Sequence, residues 1–310
     1  MRETNRAWAH LVAFFTVAIW GTTFVSTKVL LLHGLTPAWI FTLRFTMAYV
    51  LMLGLMPLVR RKHTATNRPT WSSMKRWRDE LLMVALGVTG GSLYFLAENE
   101  ALNHTTATNT SLIVCSCPLF AMFFIAAVYR DEKVTKMQML GSFIALLGMA
   151  TVVLNGHFVL HLSPLGDALA FVACLAWAFY SLLMKQALRH YDIFLITRKV
   201  FFYGLVTIVP YLLFSRQPLN IQAFDSSVVW GNLLYLGIVA SMVCFLTWNW
   251  VMRRLGPVVA TNWVYFNPIT TILFAWWFLN ETITVFFLLG AVLILTGMFL
   301  ADKTKIAPTS

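Results

Sequence analysis

Long apolar runs, separated by short polar segments, occupy most of this chain. A membrane-spanning helix needs about 20 consecutive residues that are mainly apolar. Ten runs approach or meet this requirement, at about 9–32, 38–58, 81–102, 106–129, 136–155, 165–187, 193–214, 229–252, 257–279 and 283–301. The pattern predicts an all-α integral membrane protein with ten transmembrane helices. We expect the first run to be a retained span, because it is too long for the apolar region of a signal peptide.

The composition supports a membrane protein. Of the 310 residues, 59% are hydrophobic and 11% are charged, whereas about a quarter of the residues in a soluble domain are charged. A net charge of +11 could suggest a nucleic-acid partner, but the basic residues lie mainly in short loops between apolar runs. We therefore expect no nucleic acid, and we attribute the charge to loops that face anionic membrane lipid.

The basic residues also predict the orientation in the membrane. The long connection at about 60–80 is rich in Lys and Arg, and basic loops tend to remain in the cytoplasm. Alternation then places five loops outside, in which Arg216 is the only Lys or Arg: 33–37, 103–105, 156–164, 215–228 and 280–282. We expect a multi-pass protein of the bacterial inner (plasma) membrane with both termini in the cytoplasm.

The same features recur in the two halves of the chain at nearly constant spacing. The matched pairs are Trp20 with Trp177, Lys28 with Lys185, Arg44 with Arg198, Pro118 with Pro268, Glu132 with Glu281, Gly141 with Gly290, and Gly148 with Gly297. This predicts two repeats, 1–157 and 158–310, of five spans each. Because five is odd, the second repeat enters the membrane inverted. Inverted repeats are typical of secondary transporters, whose substrate site lies near the membrane midplane between them.

In these features the chain resembles the EamA type of the drug/metabolite transporter superfamily. The resemblance rests on "IWGTTFVSTK" at 19–28, "LRF" at 43–45, "ALNHTTATNTSLIVCSCPL" at 101–119, Glu132 with "GSFIALLG" at 141–148, and Glu281 with "GAVLILTG" at 290–297. It implies ten helices and the proton-linked or facilitated movement of small metabolites, often amino acids outward, without naming one substrate. The second half departs from the first, since Trp248 and Trp250 stand where the first half has Glu98 and Glu100.

Two basic residues inside apolar runs are candidates for substrate contact. Arg44 lies within the second span, where an arginine costs at least a few kcal/mol unless it is paired or hydrated. It either faces the interior, as an anion contact or a partner of Glu98, or tethers two helices. Lys28 lies near the outer end of the first span and either faces a cavity or extends to the lipid headgroups.

Two acidic residues end the third span. Glu98 and Glu100 are two residues apart, so they project in roughly opposite directions from a helix and at most one is expected to face a cavity. We prefer Glu98, which shares a helical stripe with Tyr94, although the sequence does not decide between the two. Glu98 would then carry a coupling proton or bind a substrate amine; the alternative is an exposed helix end.

Aromatic residues and prolines complete the candidate site. Trp20, Tyr94, Trp177 and Trp263 are predicted to line an apolar cavity, although each could equally serve packing. Pro118 and Pro268 interrupt their spans, and such paired breaks often mark the centre of a transporter. The predicted substrate-binding set is Trp20, Lys28, Arg44, Tyr94, Glu98, Trp177 and Trp263, with Pro118 and Pro268 as helix breaks that permit gating.

No catalytic pattern occurs in the sequence. It contains no zinc-protease, nucleophile-elbow or phosphate-loop motif, and its four cysteines lie inside apolar runs as expected of free buried thiols. We expect no enzyme activity, metal or cofactor. The favoured function is a secondary transporter, and in our interpretation an exporter, of small organic metabolites such as amino acids. It would work by alternating access, with protons and membrane lipid as further partners.

Two alternatives remain open at this point. One is a non-transporting receptor or scaffold with a carrier-like fold. The other is a carrier for nucleotide- or lipid-linked substrates, which would be expected to place more basic residues in mid-membrane than Lys28 and Arg44. The sequence does not give the substrate, the direction of transport, the coupling ion or the oligomeric state.

Overall fold

The computed structural model describes residues 2–63, 77–105, 107–129, 134–154, 163–279 and 284–303. Within these residues the regular structure is helical throughout and contains no strand. The α-helices are α1 (Arg2–Leu32), α2 (Pro37–His63), α3 (Trp77–Gly87), α4 (Leu93–His104), α5 (Ala107–Val114), α6 (Cys117–Val128), α7 (Lys136–Leu154), α8 (Pro164–His190), α9 (Ile193–Ser215), α10 (Ser227–Leu234), α11 (Cys244–Leu255), α12 (Pro257–Asn262), α13 (Asn267–Leu279) and α14 (Val285–Lys303).

Seven helical segments of the described chain are long and apolar enough to cross a membrane. They are Arg6–Leu32, Pro37–Pro57, Trp77–His104, Thr110–Val128, Pro164–His190, Ile193–Ser215 and Ser227–Leu255. Two shorter apolar helices, Lys136–Val152 and Val285–Ala301, accompany them. The predicted all-helical, multi-pass membrane protein is thus confirmed, while the number of ten spans stays a prediction. Much of the basic connection at 60–80, together with Glu132 and Glu281, lies outside the described residues.

Two of the spans contain a π-helical segment, at Val88–Ser92 and at Tyr235–Val243. Such segments are rare, and they often occur at functional sites. In the first of them Gly91 has non-helical backbone angles (φ −131°, ψ −105°). The preceding residue, Gly90, has no side chain and so allows close packing, since a Cβ at this position would lie 2.3 Å from the ring of Tyr180.

The helix formed by α3, the π-segment and α4 is fastened to α9 by polar contacts along its length. At one end, Lys199 donates to both carboxylate oxygens of Glu80, one of them at 2.6 Å. In the middle, the hydroxyls of Ser92 and Thr207 are 2.7 Å apart. At the other end, Tyr211 donates to Glu100 at 3.3 Å. Glu100 is therefore engaged with α9.

Helices α7 and α14 pack against each other through glycines. A Cβ added to Gly148 would lie 2.6 Å from the amide nitrogen of Ile294 and 2.7 Å from the carbonyl oxygen of Gly290. One added to Gly141 would lie 2.5 Å from the carbonyl oxygen of Gly297. No side chain fits in these gaps, so the two backbones touch directly, as small residues permit in membranes.

Candidate functional site

A partly open cavity lies among the helices, with about 460 Å³ of empty space that includes solvent-open space at its mouth. Its lining mixes aromatic rings with a few polar and charged groups, a composition typical of small-molecule sites. The lining residues are Trp20, Thr23, Phe24, Arg44, Tyr94, Phe95, Glu98, Val114, Cys117, Trp177, Phe245, Val264 and Asn267. Five predicted site residues therefore come together here: Trp20, Arg44, Tyr94, Glu98 and Trp177.

Arg44 brings a positive charge from α2 into the cavity. Its side chain is 2% exposed, and its guanidinium carbon lies 4.3 Å from the centroid of the Phe95 ring. Its Nε donates a hydrogen bond of 2.9 Å to Oγ of Ser241, in the second π-helical segment. A guanidinium has five N–H donors, and within the described chain Ser241 is its hydrogen-bond partner. Arg44 is thus held at Nε, and its other donors remain available to a ligand.

Glu98 brings a negative charge from α4 into the same cavity. Its side chain is 8% exposed, and Oε1 accepts a hydrogen bond of 3.0 Å from the hydroxyl of Tyr94. Tyr94 and Glu98 are four residues apart and share a face of the helix. Glu100 lies outside the cavity, where it accepts from Asn103 at 3.2 Å and from Tyr211. Of the two carboxylates, Glu98 is therefore the one that faces the cavity.

The two cavity charges do not pair with each other. In the part of the chain that the structure describes, no salt bridge within 4.0 Å joins Arg44 to Glu98. Buried charges are costly unless they are paired or hydrogen-bonded. A guanidinium and a carboxylate that face one enclosed space can each bind the opposite charge of a dipolar ligand. The arrangement suits a molecule that carries both a carboxylate and an ammonium group.

Aromatic rings form much of the remaining wall, among them those of Trp20, Tyr94 and Trp177. The ring of Trp20 lies 5.4 Å from that of Trp177 and 5.0 Å from that of Trp248, and the ring of Tyr94 lies 5.0 Å from that of Trp177. The indole nitrogen of Trp20 donates to the carbonyl of Ala240 at 3.0 Å, which fixes the ring. These surfaces can hold the apolar part of a ligand.

Two predicted site residues lie elsewhere. The ammonium of Lys28 donates to the carbonyl of Leu102 at 2.7 Å, so it joins α1 to the end of α4. The indole nitrogen of Trp263 donates to Nδ1 of His10 at 3.1 Å, and its ring lies 6.4 Å from that of Phe266. Neither residue lines the cavity.

Both prolines lie at helix starts beside the cavity. Pro118 is the second residue of α6, and two residues separate α6 from the end of α5 at Val114. Pro268 is the second residue of α13, which follows a 3₁₀ turn at Trp263–Phe266. In a continuous helix the amides at these positions would donate to the carbonyls of Val114 and Val264. The two valines line the cavity, so both breaks border it.

Several cavity residues were not predicted as site residues. Asn267 precedes Pro268 at a predicted helix break, and an amide at that place was a signal that could have been used. Phe245 is one of several aromatic residues in a largely apolar span and gave no such signal. The cysteines Cys115, Cys117, Cys174 and Cys244 are buried free thiols. The described residues hold no group of three or more potential metal ligands.

Relatives of this chain are named as transporters. An "Uncharacterized transporter" from Archaeoglobus fulgidus is 27% identical over 96% of this chain and 98% of its own length. A "Probable terminal-alkyne amino-acid exporter" from Streptantibioticus cattleyicolor is 26% identical over 98% of this chain and 95% of its own. A "Probable amino-acid metabolite efflux pump" from Escherichia coli is 24% identical over 94% and 93%, respectively.

A solved structure shares the fold of this chain, and a family profile matches the chain twice. One solved crystal structure superposes with a TM-score of 0.72, covering 98% of this chain and 100% of the other. At 18% identity this likeness shows the fold alone. The profile of the EamA-like transporter family matches residues 7–154 and again residues 164–301. The chain belongs to the EamA-like transporter family.

Proposed function

We propose that this transporter exports amino acids, or small metabolites with the same pair of charges, across the bacterial inner membrane. The observation that carries the proposal is the presence of Arg44 and Glu98, unpaired with each other, in one aromatic cavity. The relatives named as a probable terminal-alkyne amino-acid exporter and as a probable amino-acid metabolite efflux pump support the same substrate class. No enzyme activity forms part of the proposal.

In this proposal the two charges divide the substrate between them. The guanidinium of Arg44 binds the α-carboxylate through N–H groups that Ser241 leaves unused. Glu98 binds the α-ammonium, with its carboxylate oriented by the Tyr94 hydroxyl. The rings of Trp20 and Trp177 receive the apolar part of the substrate. Glu98 is also the group on which a coupling proton would reside, if export is proton-linked.

We further propose that the chain has ten spans in two inverted repeats, 1–157 and 158–310, that alternate access to the cavity. The contacts of α7 with α14 support this. Gly141 contacts Gly297 and Ala301. The positions 149 residues away from these three are Gly290, Gly148 and Val152, respectively, and Gly290 contacts Gly148 and Val152 in the same way. Such reciprocal contacts are expected around a two-fold axis.

The ring contact between Trp20 and Trp177 supports the same symmetry. These residues are matched in the two halves, and they touch each other, as equivalent residues on a two-fold axis do. Both tryptophans line the cavity, which agrees with a substrate site at the interface between inverted repeats. The breaks at Pro118 and Pro268 beside it would permit the bending that alternating access needs. Both termini would lie in the cytoplasm.

Neutralising Glu98 tests the proposal against a matched control. We expect Glu98→Gln to lower transport efficiency at least about tenfold, since a charge-assisted hydrogen bond to the substrate ammonium is lost. Glu100→Gln, two residues further on, should retain most of the activity because Glu100 lies outside the cavity. Counterflow of labelled amino acids into proteoliposomes, preloaded with unlabelled amino acid, measures both variants.

Equal effects of the two substitutions would contradict the assignment of Glu98. Absence of saturable flux in the folded wild-type protein, across all amino acids and simple amines and acids, would instead favour a receptor or scaffold. Folding of each preparation is checked by its elution as a single species in detergent.

A further inference from the structure

The cavity contains hydrogen-bonding groups that neither the carboxylate nor the ammonium of the proposed substrate explains. Asn267 and Trp177 both line it, and they are 6% and 5% exposed, respectively. The amide oxygen Oδ1 of Asn267 and the indole nitrogen Nε1 of Trp177 are buried without a hydrogen-bond partner. Buried polar groups are nearly always paired in native proteins, so each exception calls for an explanation.

Asn267 is poorly satisfied at both ends of its amide. Its Nδ2 contacts only the sulfur of Cys115, at 3.7 Å, and a thiol sulfur is a weak acceptor. The orientation of an amide follows from its hydrogen bonds, and in either orientation one end lacks a strong partner. A structural link between α13 and the turn that contains Cys115 therefore does not account for Asn267.

Both unpaired groups belong to residues that line the cavity near Trp20. The ring of Trp177 lies 5.4 Å from that of Trp20. The backbone of Asn267 packs against Gly21, the next residue of α1, where an added Cβ would lie 2.6 Å from the carbonyl oxygen of Asn267. A substrate beside Trp20 therefore lies in the cavity to which both the indole and the amide belong.

We propose that Trp177 and Asn267 form a polar subsite that selects substrates with a hydroxyl or carboxamide group on the side chain. A hydroxyl can accept from the indole and donate to the amide oxygen, and a carboxamide can do the same. This inference rests on the proposed function, because it adds a third contact to those of Arg44 and Glu98. It narrows the substrate class from amino acids in general to those with a short polar side chain.

The subsite predicts a preference between substrates of the same shape. Threonine should be transported with an efficiency at least about tenfold above that of valine, because valine leaves the buried polar groups unpaired. In Asn267→Leu this ratio should fall to near one. Counterflow of labelled threonine and labelled valine into proteoliposomes measures the ratio in each protein.

Asn262 offers a matched control. It is as buried as Asn267, at 5% exposure, and its Oδ1 is also unpaired, but it does not line the cavity. Asn262→Leu should therefore keep the wild-type ratio of threonine to valine. An equal loss of preference in both variants, or a wild-type ratio of one or below, would overturn the subsite.

Thermal stability without substrate separates a failure of the subsite from a failure of amino-acid export. Because an unpaired buried amide is unfavourable, Asn267→Leu should unfold in detergent at the wild-type temperature or above it. A lower unfolding temperature would show that Asn267 is structural and would overturn the inference. If wild type transports neither threonine nor valine, amino-acid export fails, and the unfolding temperature of Asn267→Leu alone decides about the subsite.

Discussion

Arg44→Leu is expected to abolish measurable amino-acid counterflow in a protein that still folds. The guanidinium is the positive charge in the cavity lining and is 2% exposed. In the proposed complex Arg44 pairs with the carboxylate of the substrate. Removing one partner of such a buried, hydrogen-bonded charge pair costs about 2–5 kcal/mol, or roughly 30-fold to several thousandfold in transport efficiency. The loss should be larger than for Glu98→Gln, because leucine removes every donor to the carboxylate, whereas glutamine still offers an acceptor to the ammonium.

Two further variants make the result specific to this position. Arg44→Lys keeps the charge but lacks the planar fork that binds a carboxylate with two hydrogen bonds, so we expect intermediate activity. Arg198→Leu removes the matched arginine of the second half, which is 5% exposed but does not line the cavity, and it should retain most of the transport. Wild-type efficiency in folded Arg44→Leu would contradict the proposed carboxylate contact.

Gly148→Ala is expected to destabilise the protein more than any conservative change at the cavity. The new methyl group would lie 2.6 Å from the amide nitrogen of Ile294 and 2.7 Å from the carbonyl oxygen of Gly290. Both neighbours are backbone atoms of α14, so the whole helix has to move. Overpacking of this kind costs roughly 1–3 kcal/mol, and we expect the unfolding temperature in detergent to fall by about 5 °C or more.

Gly54 provides the control for this prediction. It lies inside α2, and a Cβ added there meets nothing within 4 Å. Gly54→Ala should leave the unfolding temperature unchanged or raise it, because alanine favours a helix over glycine by about 1 kcal/mol. If both substitutions had the same small effect, the close contact between α7 and α14 would not exist in the membrane protein.

The sequence pointed to some cavity residues because they are unusual for their surroundings or recur in both halves. An arginine in an apolar span is costly enough that its burial in a polar contact could be expected, and Arg44 does contact Ser241. The matched tryptophans could be selected because they recur at the same place in both halves, and Trp20 and Trp177 do meet in the cavity. These inferences depend on local chemistry and repetition, which a single sequence displays.

Other features depend on contacts between distant segments. Lys28 could not be assigned from the sequence, because its partner is a backbone carbonyl on α4, at Leu102. Trp263 likewise pairs with His10, at the other end of the chain. Helical periodicity predicted that Glu98 and Glu100 diverge, but the choice between them depends on how α4 leaves the π-helical segment. That segment has no distinctive sequence beyond its glycines.

Competition by incomplete substrates tests the central claim most directly. Unlabelled threonine, its decarboxylated amine and its deaminated hydroxy acid would each be added outside during counterflow of labelled threonine. The two-charge site predicts that threonine competes at its own half-saturating concentration, while each analogue needs at least about tenfold more, since each leaves Arg44 or Glu98 unpaired. If either analogue competed as well as threonine, the cavity would not recognise both charges, and the proposed amino-acid site would be contradicted.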